Sequence, residues 1–137
     1  MRSRTALVAI SAVQLGAGVA GQLIALRDSR SFHIALIGWQ GRTDRVAHDS
    51  WLLGTGLSAP VVMLTAQAIA TARLAAGPSP NARRILGALG AAMTGGYLIE
   101  QEFRDVLSSS GWDPLVSPVA AVGFGLSATM ALVGLSS

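Results

Sequence analysis

Four apolar stretches alternate with polar segments along the chain, and each approaches the ~20 residues that a helix needs to cross the hydrocarbon core of a bilayer. The first runs from Thr5 to Leu26 without a charge, between Arg2 and Arg4 on one side and Arg27 on the other. Within it Ser11, Gln14, Gly18 and Gln22 recur at helical spacing, with Gly21 beside them. In lipid such a stripe of small and polar residues faces other helices. The second stretch runs from Trp51 to about Ala72 and contains Pro60, which is expected to kink the helix near Thr55 to Leu57. The breaker-rich segment from Gly77 to Pro80 makes the second and third helices antiparallel neighbours. The third runs unbroken from about Arg84 to Val106. The fourth starts at Ser117 or Pro118, after a turn over Ser108 to Pro114, and ends near Leu135.

The pattern predicts an all-α polytopic membrane protein: one domain over residues 1–137, a four-transmembrane-helix bundle with helices at about 5–26, 50–73, 84–106 and 117–135, and a long polar loop between helices 1 and 2. An apolar run behind two arginines also resembles a signal peptide, with Gly18-Val19-Ala20 as a cleavage site. The run is long for that purpose, and three more apolar spans follow it. In the long loop, Phe32 to Trp39 is too short to span and is expected at the interface as a short strand, a re-entrant piece or an amphipathic turn. Thr43 to Asp49 reads as helical, with Thr43 as N-cap and Asp44/His48 and Arg45/Asp49 as i,i+4 pairs.

Composition supports the membrane assignment and removes several chemistries. Hydrophobic residues make up 51% of the chain and charged residues 12%, with a mean hydropathy of +0.53, well outside the soluble average. The absence of cysteine excludes disulfides, thiolate nucleophiles and iron–sulfur ligation. All ten basic residues are Arg, which excludes Schiff-base lysine chemistry. A sequence pI near 11.1 would suggest nucleic acid in a soluble domain, but the net charge is only +3 and the arginines sit at helix ends, so no nucleic-acid partner is expected.

Charge is distributed unevenly between the two ends. With four spans, the termini share a side with the Gly77–Pro80 turn, and five arginines lie at each end. All seven acids and both histidines fall at the opposite end, with the first and third connections. Arg2, Arg4, Arg73, Arg83 and Arg84 favour N- and C-termini on the cytoplasmic side of a bacterial plasma membrane.

Small-residue stripes, Ala17/Gly21/Ala25, Gly87/Ala91/Gly95 and Gly123/Ser127/Ala131, are expected to pack helices closely or to meet a second copy or another membrane protein. Continuing the third helix in phase puts Glu102 and Asp105 on the inward Gly87/Ala91/Gly95 face, with Gln101 at its edge. Glu100 falls opposite, paired with Arg104. An inward carboxyl at membrane depth is a candidate general acid. Asp44 and His48, one helical turn apart, form a second constellation in which a carboxylate sets the imidazole tautomer.

The expected activity is cofactor-free acid–base chemistry by a small membrane enzyme on a lipophilic substrate, such as isomerisation, cyclisation or opening of an epoxide. Glu102, Asp44, His48 and Asp105 are the catalytic candidates, and Arg45, Arg104, Trp39, Gln101, Tyr97 and Gln14 the substrate-binding ones. A metal site is not expected, because no HxxxH or ExxH spacing occurs. No Gly-x-Ser-x-Gly elbow is present, and Gly16, Gly18 and Gly21 match the dinucleotide pattern only inside the first span. Two other classes fit the same residues: a non-catalytic membrane subunit or lipophilic-ligand binder, and a small proton-coupled transporter working through Glu102. Membrane lipids are partners in every case.

Overall fold

The computed structural model describes residues 2–28, 33–34, 39–40 and 59–136; of residues 33–34, 39–40 and 101–102 it describes the backbone only. The elements are α1 (Arg2–Arg27), a hairpin of β1 (His33–Ile34) and β2 (Trp39–Gln40), α2 (Val61–Ala76), α3 (Pro80–Ile99), α4 (Gln101–Leu107) and α5 (Val116–Leu135). The two strands pair antiparallel, His33 with Gln40 and Ile34 with Trp39, and the rest of the stretch expected at the interface lies outside the described residues.

Helices α1, α2, α3 and α5 close into a ring in which α1 touches α2 and α5, and α3 touches the same two. Paired contacts give their directions. Ser11 of α1 meets Thr71 of α2, Gly87 of α3 meets Gly134 of α5, and Gln14 of α1 meets Met93 of α3. Arg83 ties one end together, donating from Nη1 to Ser3 Oγ at 3.3 Å and from Nη2 to the Val133 carbonyl at 2.7 Å. The α2–α3 turn, the start of α1 and the last turn of α5 therefore share an end, as the alternation of apolar stretches and turns predicts.

Among the described residues, α1 and α5 are the two helices long and apolar enough to cross a membrane. Four spans are not established. Helix α2 has 16 described residues, and α3 has 20 but carries Arg83, Arg84 and a high share of glycine.

Three boundaries differ from expectation. Ala59 and Pro60 are not helical, and Pro60, at φ −52° and ψ 142°, precedes the first residue of α2, Val61; the kink expected near Thr55 to Leu57 lies outside the described residues. Proline suits this position because its fixed φ costs nothing where no N–H partner is needed. Helix α3 begins at Pro80, earlier than Arg84, because Ser79 Oγ accepts from the Ala82 N–H and Pro80 opens the first turn. Its end is also earlier: Glu100 adopts φ −77° and ψ 122°, an extended conformation that separates α3 from α4. The helix expected to run unbroken from Arg84 to Val106 is two helices.

The buried face of α3 also differs from the expected stripe. The inward face of α3 is Leu86, Gly87, Gly90, Met93 and Tyr97, whereas Ala91 and Gly95 are exposed. A Cβ on Gly90 would lie 2.6 Å from both Ala131 N and Ser127 O, so α3 and α5 meet backbone to backbone. The stripes on the other two helices stand closer to expectation: Gly21 and Ala25 are buried on α1, as are Gly123 and Ser127 on α5.

Helix α4 folds back over the end of the ring. Its Phe103 joins Tyr97 of α3 and Phe124 of α5 in a cluster with ring centroids 4.9 to 6.2 Å apart. Ser117 Oγ donates to the Val106 carbonyl and accepts from the Asp113 N–H at 2.9 Å, joining α4 to α5. Asp113 Oδ1 accepts from the N–H groups of Leu115 and Val116 at 2.8 and 2.9 Å, which caps α5.

Candidate functional site

Polar side chains are buried in the ring beside an apolar core that includes Leu7, Leu86 and Met130, while several large aliphatic side chains face outward. Ser11, Gln14, Gln67, Ser117 and Ser127 have no exposed surface, while Leu23, Leu98, Val13 and Leu132 stand 57 to 73% exposed. A helical bundle in water arranges these classes the other way round, since exposed aliphatic surface there costs about 25 cal/mol per Å². In hydrocarbon the preference reverses, because amides and hydroxyls must find partners within the protein.

The interior partners form a circuit. Gln67 Nε2 donates to Gln14 Oε1 at 2.7 Å, with the Ser11 carbonyl at 3.0 Å and Ser11 Oγ at 3.1 Å also in reach. Thr71 Oγ1 donates to the Gln67 carbonyl at 2.7 Å, so with its single proton used there it accepts from Ser11 Oγ, also at 2.7 Å. Gln14 Nε2 reaches Met93 Sδ at 3.5 Å. Helices α1, α2 and α3 are joined by this circuit at mid-height. Gln14, expected to bind substrate, is committed to it and faces no opening. Tyr97, expected in the same role, is buried in the aromatic cluster, with its hydroxyl 2.8 Å from where a Gly123 Cβ would lie.

Among the described residues, a groove lies between α1 and α2. Val19, Gln22 and Leu23 on one side and Leu64, Thr65 and Ala68 on the other border a groove of about 380 Å³, within the ~300–1,000 Å³ of small-molecule sites. The lining is almost entirely hydrocarbon. Thr65 Oγ1 is turned back onto the Val61 carbonyl of its own helix at 3.0 Å. Gln22 is the exception: it is 8% exposed, and its Oε1 is buried without a hydrogen-bond partner. Gln22 belongs to the polar stripe read from the sequence. Gln67 and the groove were not anticipated, although a lone amide inside the apolar run Val61–Ala72 marks the position of Gln67.

At the acidic end the expected constellation is only partly described. Asp44, Arg45 and His48 lie outside the described residues. The backbones of Gln101 and Glu102 are in α4, and that of Trp39 is in β2; their side chains are outside the description. Strand β1 rests against α4, so the hairpin of the first loop does meet the helix that carries Glu102. Two placements need correction. Asp105 is exposed and so does not continue an inward stripe, and Glu100, expected to face away with Arg104, is buried at 9% exposure. Both follow from the face that α3 actually buries: Leu86, Gly90, Met93 and Tyr97 point inward and Glu100 continues them at helical spacing, whereas Asp105 is assigned to the face of Ala91 and Gly95, which is exposed. Arg104 is exposed, and its backbone N–H reaches the Glu100 carbonyl at 3.4 Å. Arg27 donates from Nε and Nη2 to the Asp28 carboxylate, at 2.7 and 3.2 Å, where α1 ends. Among the described residues no three carboxylate or imidazole groups converge as a metal site would require.

Fold and groove together define a class: a helical bundle with a buried polar circuit in an otherwise apolar core, several exposed aliphatic side chains, two helices long and apolar enough to cross a membrane, and an apolar groove between α1 and α2. Compared with known protein families, characterised proteins and solved structures, the chain matches none.

Proposed function

We propose that the protein is an integral membrane protein that binds a lipophilic small molecule, taken from the surrounding lipid, in the groove between α1 and α2. The observation that supports this is the pairing of buried amides with an aliphatic exterior: Gln14, Gln22 and Gln67 are buried while Leu23 and Leu132 are exposed, an arrangement suited to hydrocarbon, and a groove lined by Val19, Leu23, Leu64 and Ala68 lies on that exterior. Orientation with both termini in the cytoplasm is part of the same proposal, supported by the arginines at the terminal end. The test is native mass spectrometry of the full chain released from its membrane. A bound lipophilic adduct is expected on the wild type and is expected to be lost on Ala68→Trp, which fills the groove. An adduct equally abundant on both proteins, or on neither, contradicts the proposal.

A second reading keeps acid–base catalysis by Glu102 with Asp44 or His48 on the bound molecule, with Asp105 and Arg45 at the margin. It is favoured by one observation, the contact of β1 with α4, which brings the first loop to the helix of Glu102. Because the chain has no cysteine, engineered pairs give a clean distance test. His48→Cys/Glu102→Cys or Asp44→Cys/Glu102→Cys is expected to form an intramolecular disulfide under mild oxidant, as residues facing one substrate would. Failure of both pairs removes the catalytic reading and leaves binding intact.

A further inference from the structure

None of the four ring helices carries an Asp or a Glu, yet Arg2, Arg4, Arg73, Arg83 and Arg84 stand on three of them at the end shared by the start of α1 and the α2–α3 turn. Arg83 fixes how part of this charge meets. Its Nη1 donates to Ser3 Oγ, between Arg2 and Arg4, and its Nη2 to the Val133 carbonyl, which draws the start of α1 and the last turn of α5 to the beginning of α3, where Arg84 is the next residue. Both acceptors are neutral. With the Arg83 side chain half-buried and its Nε wholly so, a positive charge is held at a helix junction with no carboxylate beside it among the described residues. The Nη1 edge is at the surface, because Ser3 is exposed. At the opposite end of α1, by contrast, Arg27 has the Asp28 carboxylate. The surface next to the arginines is aliphatic: Ile85 follows Arg84, and Leu132 and Leu135 flank Val133, all three 46 to 73% exposed. A partner that fits both parts of this corner is anionic at one end and hydrocarbon at the other.

We infer that this corner holds an anionic phospholipid, its phosphate facing Arg4, Arg83 and Arg84 and its acyl chains lying against Ile85, Leu132 and Leu135. The proposal rests on the membrane setting given above and not on the groove between α1 and α2. Phosphate suits the corner because a guanidinium can donate to two of its oxygens at once, and because it brings the negative charge that the ring helices lack. The attraction is stronger at the edge of the hydrocarbon than in open water, since the surroundings screen it less. A soluble anion meets the arginines and leaves the aliphatic surface bare. A choline lipid covers that surface but brings its own ammonium beside the phosphate, so three clustered arginines favour a lipid with net negative charge.

The experiment is native mass spectrometry of the full chain released from nanodiscs of phosphatidylglycerol and phosphatidylcholine in equal amounts with matched acyl chains. The wild type is expected to retain phosphatidylglycerol several-fold over phosphatidylcholine. Arg4→Gln/Arg84→Gln is expected to lose that preference, and Arg27→Gln/Arg104→Gln, which removes the same charge away from the corner, to keep it. The side chains of Arg4 and Arg84 have no hydrogen-bond or ion-pair partner among the described residues, so the first pair is expected to fold. Arg4→Lys/Arg84→Lys, which preserves the charge, is the second variant and is expected to keep the preference. Equal retention of the two lipids by the wild type, or retention of neither, overturns the proposal. So does an equal loss in the Arg27/Arg104 pair, or a loss in the lysine pair. Glycerol 3-phosphate, the same anion without acyl chains, is expected to leave no adduct; an adduct as abundant as the lipid's would make the corner a site for soluble anions and overturn the lipid as its occupant. Ala68→Trp is expected to leave the preference unchanged, so failure of the groove and failure of this site are read separately.

Discussion

Gln67 of α2 donates from its side-chain amide to Gln14 Oε1 of α1 at 2.7 Å, and neither residue has any exposed surface. Around this bond Ser11, Thr71 and Met93 complete a circuit that ties three helices together at mid-height. In a bundle whose exterior is aliphatic, specificity of packing comes from such bonds and from close backbone approach, because side-chain hydrophobicity does not distinguish a helix from lipid.

Replacing Gln67 by Leu keeps the volume roughly constant and removes the central donor. Gln14 Oε1 and Ser11 then lose their partner, and a destabilisation of about 1–2 kcal/mol is expected, set by the typical net worth of an interhelical bond in lipid together with the cost of stranded acceptors. Reversible unfolding in mixed micelles measures it. The double variant Gln14→Leu/Gln67→Leu is expected to recover part of the loss, since it removes both ends of the bond together.

The α3–α5 contact makes a sharper distinction among glycines. Gly90→Ala places a Cβ against the backbone of Ser127 and Ala131, where nothing flexible can give way, and a loss of about 1–3 kcal/mol is expected. Gly95→Ala and Gly125→Ala meet nothing within 4 Å, so they are expected to be neutral or to gain up to about 1 kcal/mol from helix propensity. Thermal unfolding of the three variants side by side checks the order. If the stripe first read from the sequence were the packed one, Gly95→Ala would be as damaging as Gly90→Ala.

At the other end of α5, Asp113→Ala removes the acceptor for two backbone N–H groups and is expected to cost about 0.5–2 kcal/mol. Amide exchange localises the effect: the N–H groups of Leu115 and Val116 are expected to lose protection while those in the middle of α5 keep it. Asp113→Asn is expected to retain most of the protection, because its side-chain carbonyl still accepts.

Periodicity and apolar length were enough to read most of this fold from the sequence. They located α1 and α5 closely, the shared end of the termini and the α2–α3 turn, and the polar stripe Ser11/Gln14/Gly18/Gln22, all of which is buried. Pattern alone misplaced the elements governed by single backbone choices. Nothing in Ile99-Glu100-Gln101 forbids a helix, yet Glu100 is extended. The phases assigned to Asp105 and Glu100 fail further upstream: they extend the Gly87/Ala91/Gly95 stripe, of which Ala91 and Gly95 are exposed, while the buried face runs through Leu86, Gly90, Met93 and Tyr97. Pro60 and Ser79-Pro80 are helix-start chemistry that reads equally well as a kink and a turn until the neighbouring backbone is known. The groove was illegible for a different reason: it depends on which side chains of α1 and α2 fail to meet, and spacing along a sequence reports contacts within a helix, not gaps between two.

The most direct test of a groove that opens to lipid is a nitroxide placed within it. Thr65→Cys, introduced into a chain without native cysteine, spin-labelled and reconstituted in a bilayer, reports accessibility to oxygen, which concentrates in hydrocarbon, against a water-soluble nickel complex. The account predicts that oxygen dominates at position 65 and that adding dodecanol lowers oxygen access there while leaving a label at Leu132 unchanged. Dominant access by the nickel complex at position 65 would mean a water-filled groove and would contradict a lipophilic ligand drawn from the membrane.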